Sequence, residues 1–384
     1  MSKIDELLKK YCPNGVKTEK LGEICSIRRG ERVTRSQIAG GGQNPVYQNS
    51  LSPLGYYDKV NREANIPFVI IGGAAGEIGF SDVAFWAADD CLTIDFNSSI
   101  SNRYIYYVLK NSQQYLLSRV RKSSVPRLSR DVLDNFQIPV PPLPVQEEIV
   151  RILDNFTELE KELEKELEKR RQQYEYYRNK LLSFNEIGGG IARQVKWVKI
   201  RDFYKRLKGT PITATKMKEI ANVNGNVRIY AGGRTVVNAF EADIPKANIT
   251  KVPAVLVQSR GVIDAVYYDK PFTFKNEMWA YTTENHITVK YLYYILKDNI
   301  QHFRDAASSM GSLPQISLSV TEDFLIPIPP IAEQERIVAI LDRFDALVND
   351  ISVGLPAEIN ARRKQYEYYR NRLLTFNRLN LKTA

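Results

Sequence analysis

One long stretch of this chain occurs twice. IPVPPLPVQEEIVRILDNF at 138–156 returns as IPIPPIAEQERIVAILDRF at 326–344, an offset of 188 residues. QYEYYRNKLLSFN at 173–185 returns as QYEYYRNRLLTFN at 365–377, an offset of 192. YIYYVLK (104–110) matches YLYYILK (291–297), and Val125-Pro126-Arg127-Leu128-Ser129 matches Leu313-Pro314-Gln315-Ile316-Ser317. A fainter match of 16–34 with 195–213 lays Gly30 over Gly209, whereas about 40–100 and 220–285 barely agree. The chain is therefore two copies of one unit, each a variable globular head followed by a near-identical tail.

The tail reads as a rod. Ile149, Leu153, Phe156, Leu163, Leu167, Tyr174, Tyr177, Leu181 and Phe184 recur at alternating four-and-three spacing, with Glu160 and Arg170 at the two remaining seam positions. That is an a/d heptad seam. The second copy repeats it with Ile337, Leu341, Phe344, Tyr366, Tyr369 and Leu373. Between the apolar positions lies ELEKELEKELEK (158–169), whose glutamates are expected to form i,i+4 pairs with lysine on a solvated face. Pro139, Pro141, Pro142 and Pro144 predict no helix before about residue 145, and Gly188–Gly190 a stop. A helix over 146–184 is about 55–60 Å long. The second rod (334–376) carries four extra residues, a stutter, and Gly354 and Pro356 predict a kink or short break. Because each rod follows its own head, the two are expected to pair antiparallel with each other, with pseudo-twofold symmetry. A short N-terminal helix, Ser2–Lys10, is expected to dock near the C-terminal rod.

The heads read as mixed α+β. Strands are expected at Pro67–Gly72, Ile78–Phe80, Cys91–Phe96, Ala254–Gln258, Val262–Tyr267 and Thr288–Val289, and short amphipathic helices at Tyr104–Lys110 and Tyr291–Lys297. The boundaries fall at 1–145 (head one with the N-terminal helix), 146–187 (rod one), 188–333 (head two) and 334–384 (rod two).

Composition narrows the chemistry. Three scattered cysteines and two histidines argue against disulfides, zinc knuckles and Ser/His or Cys/His relays. No apolar run approaches a membrane span, and the first residues carry no secretory core, so a cytoplasmic protein with no membrane partner is expected. With 54 Lys+Arg against 44 Asp+Glu, the net charge of +10 favours polyanions, nucleic acid first. No catalytic residue and no metal site is predicted.

Basic clusters carry the binding expectation. Arg28, Arg29, Arg32 and Arg35 flank Gly30, and Lys205, Arg206 and Lys208 precede Gly209 at the same repeat position. Arg119, Arg121, Lys122 and Arg127 surround Ser123-Ser124. These are expected to touch phosphates. Gln258-Ser259-Arg260-Gly261 is a base-reading loop candidate through Ser259 and Arg260. Gly72–Gly79 fits neither a dinucleotide fingerprint nor a P-loop and reads as a tight turn. Asn44-Pro45-Val46-Tyr47 resembles the Asn-Pro-Pro-Tyr loop of adenine methyltransferases, but its second proline is valine and no glycine-rich methyl-donor turn accompanies it. A turn entering a strand is the expected reading. In QYEYYRN the seam tyrosines are expected in the core, with Tyr176 and Tyr368 free for a partner protein.

IPVPPLPVQEEIV, a heptad rod and RRQQYEYYRNKLL, repeated once after a domain opening GVKTEKLGEI, resemble the specificity (S) subunits of type I restriction–modification systems. The resemblance covers nearly the whole chain and is strongest in the tails. It implies that the heads are target recognition domains binding double-stranded DNA and the rods are spacers whose four-residue repeats set the gap in a split target. Two methyltransferase (M) subunits would dock on the conserved regions and restriction (R) subunits join them. Catalysis with S-adenosylmethionine, ATP and magnesium would belong to those partners, this chain binding no cofactor. A stand-alone adenine methyltransferase and a non-catalytic coiled-coil adaptor are the alternatives.

Overall fold

The computed structural model describes residues 2–38, 40–96, 100–184, 195–233, 235–308 and 313–377. Contacts divide the chain into two compact units, Met1–Glu164 with Glu358–Ala384, and Lys165–Ala357. The fold class is α+β, with the same architecture occurring once per unit.

Unit 1 holds β1 (Thr18–Lys20), β2 (Cys25–Arg29), β3 (Asn44–Tyr47), β4 (Gly55–Tyr57), β5 (Ile66–Ile70), β6 (Ile78–Ser81), β7 (Trp86–Ala87), β8 (Cys91–Phe96) and β9 (Gln137–Pro139). They form an antiparallel sheet in the order β2-β8-β5-β6, a small sheet β4-β3-β7 and the pair β1-β9. Unit 2 holds β10 (Lys196–Lys199), β11 (Lys205–Leu207), β12 (Val227–Tyr230), β13 (Val236–Ala239), β14 (Ala254–Gln258), β15 (Asp264–Tyr268), β16 (Phe272–Phe274), β17 (Trp279–Thr282) and β18 (Leu325–Ile328). Their orders are β11-β17-β14-β15, β13-β12-β16 and β10-β18. In each small sheet the central strand pairs antiparallel on one side and parallel on the other. The central strands β5 and β14 are buried at every position, which is why Ile66–Ile70 and 254–257 read as unbroken apolar runs.

Gly30 and Gly209 mark where the chain leaves the edge strand to cross to the small sheet. The Gly30 N–H donates to the Cys91 carbonyl, and the Thr210 N–H to the Phe274 carbonyl. A Cβ at Gly30 would meet the Ala87 and Ala88 carbonyl oxygens, and one at Gly209 the Phe274 carbonyl oxygen at 2.5 Å. Close backbone approach, not conformational freedom, requires glycine at this repeat position.

A helix packs on the large sheet of each head: Asn102–Asn111, capped by Ser101, and His286–Asp298, capped by Asn285. Thr288–Val289 is therefore helical and not a strand. These β-branched residues sit in the first turn, where the Asn285 side chain accepts the N–H groups of Ile287 and Thr288.

The first long helix spans Leu143–Leu182, about 60 Å at 1.5 Å per residue. It begins before Pro144, because a first-turn proline lacks only an N–H that has no intrahelical partner. Gln146 ties the entry, its side-chain amide donating to the Pro141 carbonyl at 2.7 Å. Gln334 does the same to Pro329 at 2.8 Å. The second tail is two helices, Ile331–Asn349 and Leu355–Leu374. The extra residues form the break between them, where the Asp350 carboxylate accepts the Ser352 N–H at 2.7 Å. The expected stop at Gly188–Gly190 lies outside the described residues.

The seam closes best at its ends. Ile149, Leu153, Ile337 and Leu341 are fully buried and Tyr174 nearly so. Leu163 and Leu167 are half-buried, Tyr177 is exposed, and Leu182 and Leu374 are buried where Leu181 and Leu373 were expected to be. In unit 1, Phe156 packs against Tyr366 and Tyr369, with ring centroids 6.3 and 5.4 Å apart. Further along, Glu160 and Glu164 take the Arg363 guanidinium. Partner numbers fall as helix numbers rise, so the pairing is antiparallel. In unit 2 the equivalent rings recur, Tyr174 and Tyr177 lying 6.1 and 5.7 Å from Phe344. Among the described residues Lys161, Lys165 and Lys169 form no ion pair. The ELEK glutamates turn to Arg363 and Arg170 instead, since a guanidinium offers a two-pronged donor that an ammonium lacks.

The N-terminal helix runs Lys3–Tyr11 with a Ser2–Asp5 capping box. Its Ile4, Leu7 and Leu8 share a core with Leu373, Leu374 and Phe376, and the Val16 N–H donates to the Asn377 carbonyl at 2.9 Å. It docks on the C-terminal helix as expected.

Candidate nucleic-acid interface

Three loops meet in each head. In the first, the turn after β5 meets the loop after β3 and the 121–127 hairpin. The Gly73 N–H donates to the Pro126 carbonyl at 3.3 Å, Ala74 to Asn49 at 2.9 Å and Leu128 to Ile71 at 3.0 Å. In the second, Gly261 donates to Pro314 at 2.8 Å, Gly233 to Arg260 at 2.9 Å and Ile316 to Ser259 at 3.0 Å. The pairs Gly73–Pro126 and Gly261–Pro314, like Leu128–Ile71 and Ile316–Ser259, are the same bond displaced by 188 residues. Gly73 and Gly261 have φ of +83° and +81°, the left-handed region glycine adopts without strain. The backbone frame is thus duplicated where the sequences around it have drifted apart.

Side chains on this frame differ. In head one Arg127 pairs with Asp90. Beside it the Arg29 Nε donates to the Asp89 carbonyl at 2.7 Å, so two of the expected basic residues converge on Asp89-Asp90. In head two Gln315 takes the place of Arg127, and Glu277, equivalent to Asp90, pairs with Lys275 at 3.0 Å. Arg121 and Lys122 are exposed on the hairpin with Arg127, whose backbone closes a bridge to Arg121. Arg119 lies 5.0 Å over the Tyr115 ring. Arg32 and Arg35 are exposed. Arg28 pairs with Asp95 at 2.9 Å on the edge strand, and Arg206 with Glu322 at 2.9 Å. Arg206 and Lys208 line an open groove of about 450 Å³ with Asn248 and Trp279. Lys205 is exposed, and so is Arg260, which does not line that groove. Ser259 is a correction: it is fully buried and its hydroxyl donates to the Glu277 carbonyl, so it holds the loop and faces no ligand. Asn44–Tyr47 is strand β3, with Pro45 and Val46 buried and the Tyr47 ring 4.6 Å from Phe68.

Two features had no sequence signal beyond their recurrence. Asp154 accepts the Tyr107 hydroxyl and the Arg103 Nε, the latter at 2.9 Å. Asp342 accepts the Tyr294 hydroxyl and the Lys290 Nζ, the latter at 2.8 Å. Each carboxylate sits on a tail helix and clamps the helix of its own head. Burial pushes the Tyr107 hydroxyl far above its ordinary value, with the Asp154 carboxylate adding to the shift, so it stays a donor. Among the described residues no group of three or more His, Cys, Asp or Glu is placed to hold a metal ion, and no helix is long and apolar enough to cross a membrane.

The duplication has a counterpart in a known domain family. The type I restriction modification DNA specificity domain matches residues 13–169 and again 193–361. The EcoR124I/EcoR124II specificity subunit of Escherichia coli is 35% identical over 71% of this chain and 70% of its own. The putative specificity subunit S.HindORF215P of Haemophilus influenzae is 30% identical over 94% of this chain and 96% of its own. The S subunit structure from M. genitalium superposes with a TM-score of 0.69 at 18% identity, over 96% of this chain and 98% of that one, a likeness of fold. The chain belongs to the family of type I restriction–modification DNA specificity subunits.

Proposed function

We propose that this specificity subunit reads a split, asymmetric sequence in double-stranded DNA, one half-site per head, with the gap governed by the long helices. The observation that supports this most is the three-loop frame, which repeats two of its backbone bonds at the same displacement yet carries different side chains. Two equal heads would read a palindrome; two unequal ones read unequal half-sites. Exposed arginines and lysines around each frame supply the phosphate contacts that place a head on the duplex. Methyltransferase and restriction subunits dock on this chain and carry the chemistry that needs S-adenosylmethionine, ATP and magnesium. A stand-alone methyltransferase is disfavoured by the burial of Pro45 and Val46, which leaves Asn44–Tyr47 no open loop for a target base.

Modified-base sequencing of DNA from cells holding this chain with its methyltransferase partner, and from cells lacking this chain, tests the proposal. A split asymmetric methylated motif that vanishes without the chain is expected; a motif that persists overturns it. Deleting one ELEK unit, Glu162–Lys165, removes roughly 6 Å of helix, about two base pairs of duplex. Both half-sites should persist at a shorter gap, and an unchanged gap would remove the helices from the mechanism.

A further inference from the structure

Within that reading of the heads, the geometry points to one equivalent pair of residues as base readers: Arg127, taking a guanine edge in head one, and Gln315, taking an adenine edge in head two. The two occupy the same place on the frame. Each follows the proline that accepts the glycine N–H, and each closes a short backbone bridge, Arg127 to Arg121 and Gln315 to Ser308. The glycine and the proline of the frame keep their identity in both heads, whereas this position does not. Phosphate contact alone asks for a donor and for no forked end in either head. Instead the pair is arginine and glutamine, whose forked ends match guanine O6/N7 and adenine N6/N7 respectively.

The surroundings suit that task. The Arg127 side chain is 44% exposed while its partner Asp90 is only 17% exposed. A carboxylate fixed in the head thus holds one prong of the guanidinium and leaves the other N–H groups toward solvent. Gln315 is exposed, and its side-chain amide, with one donor end and one acceptor end, makes no hydrogen bond among the described residues. Arg121 and Lys122, exposed and, among the described residues, without an ion pair, lie on the same hairpin as Arg127 and are placed to meet the phosphates flanking the base that it reads.

The test uses the complex of this chain with its methyltransferase partner on a random-sequence DNA library, comparing wild type with Arg127→Gln and Gln315→Arg. Because head two carries glutamine on the same frame, Arg127→Gln is compatible with the fold. Arg127→Gln should weaken the wild-type motif about 10- to 100-fold relative to the library average and lose guanine at one position of one half-site. Gln315→Arg should shift one position of the other half-site from adenine to guanine. Asp90→Asn, which keeps Arg127 but loosens its anchor, should relax the guanine position alone. Selection of the unchanged motif by the exchanged variants, or an equal loss for all sequences, overturns the assignment. A wild-type complex that selects no motif would instead sink the reading on which it rests.

Discussion

The tails and the heads diverge in opposite ways. The tails share QYEYYRN and the proline-rich entry almost letter for letter, yet one is a single helix over Leu143–Leu182 and the other breaks between Asn349 and Leu355. The heads share few residues, yet keep the same sheet orders and two of the same loop bonds at a constant displacement. Helix continuity is a local property, so four inserted residues with a glycine and a proline suffice to interrupt it. A sheet frame is held by register and by a few positions where backbones touch. Side chains elsewhere are then free to change, which is what two different DNA readers require.

If that is right, the largest effect should come from those few touching positions. Gly30→Ala places a methyl group on the Ala87 and Ala88 carbonyl oxygens, and should cost several kcal/mol in head one. The expected outcome is loss of one half-site's recognition and a fall in the melting temperature of unit 1. Gly209→Ala should do the same to head two. Were both variants to melt and methylate as wild type does, the frame would not rest on these contacts.

The heads also differ in how their two sheets are fastened. Head one uses Arg62, which is buried and donates to the Thr93 hydroxyl at 2.6 Å and to the Arg29 carbonyl at 2.8 Å. Head two uses hydroxyls: Thr210 and Thr273 meet at 2.7 Å, and Thr273 donates to the Asn248 carbonyl at 2.8 Å. A buried guanidinium that loses its place leaves the Asn61 and Arg29 carbonyls and the Thr93 hydroxyl without its donors, whereas one hydroxyl leaves fewer groups unsatisfied. Arg62→Met should therefore destabilise head one by about 2–4 kcal/mol, against about 1–2 kcal/mol for Thr273→Val in head two. Thermal melts of the two variants compare them directly, and equal losses would erase the distinction.

Sequence made the tails legible because a heptad seam and prolines act locally, within a turn or two. It under-read them where a tertiary partner decides: Leu182 and not Leu181 is buried, and the ELEK glutamates meet Arg363 rather than a neighbouring lysine. In the heads, buried strands such as Ala254–Gln258 stood out as apolar runs, but Thr288–Val289 read as strand because β-branched pairs carry that bias. Ser259 looked like a polar loop residue; only the fold reveals the Glu277 carbonyl it satisfies. Asp154 and Asp342 were invisible as clamps because their tyrosine partners lie 47 and 48 residues away. Their recurrence at the same offset as the tails was nonetheless written in the repeat.

The smallest predicted effect separates the units by acidity. Glu148 is buried, and hydrogen bonds from Arg151, 2.6 Å away, and Lys3, 2.9 Å away, hold its carboxyl down at about 2. Its equivalent in unit 2 is Arg336, which pairs with Glu333 nearer the solvent. A depressed carboxyl contributes stability that is fully present above its unfolded value, near 4.5, and is lost as pH falls toward 2. Because Lys3 and Arg151 are themselves well exposed, screening limits the contribution to about 1–2 kcal/mol. Unit 1 should then lose melting temperature between pH 4.5 and 2 by more than unit 2 does. Glu148→Gln should flatten that difference while lowering stability at pH 7, and high salt should shrink it. Equal acid sensitivity of Glu148→Gln and wild type would mean that the N-terminal helix is held by Ile4, Leu7 and Leu8 alone, with the buried carboxylate contributing nothing.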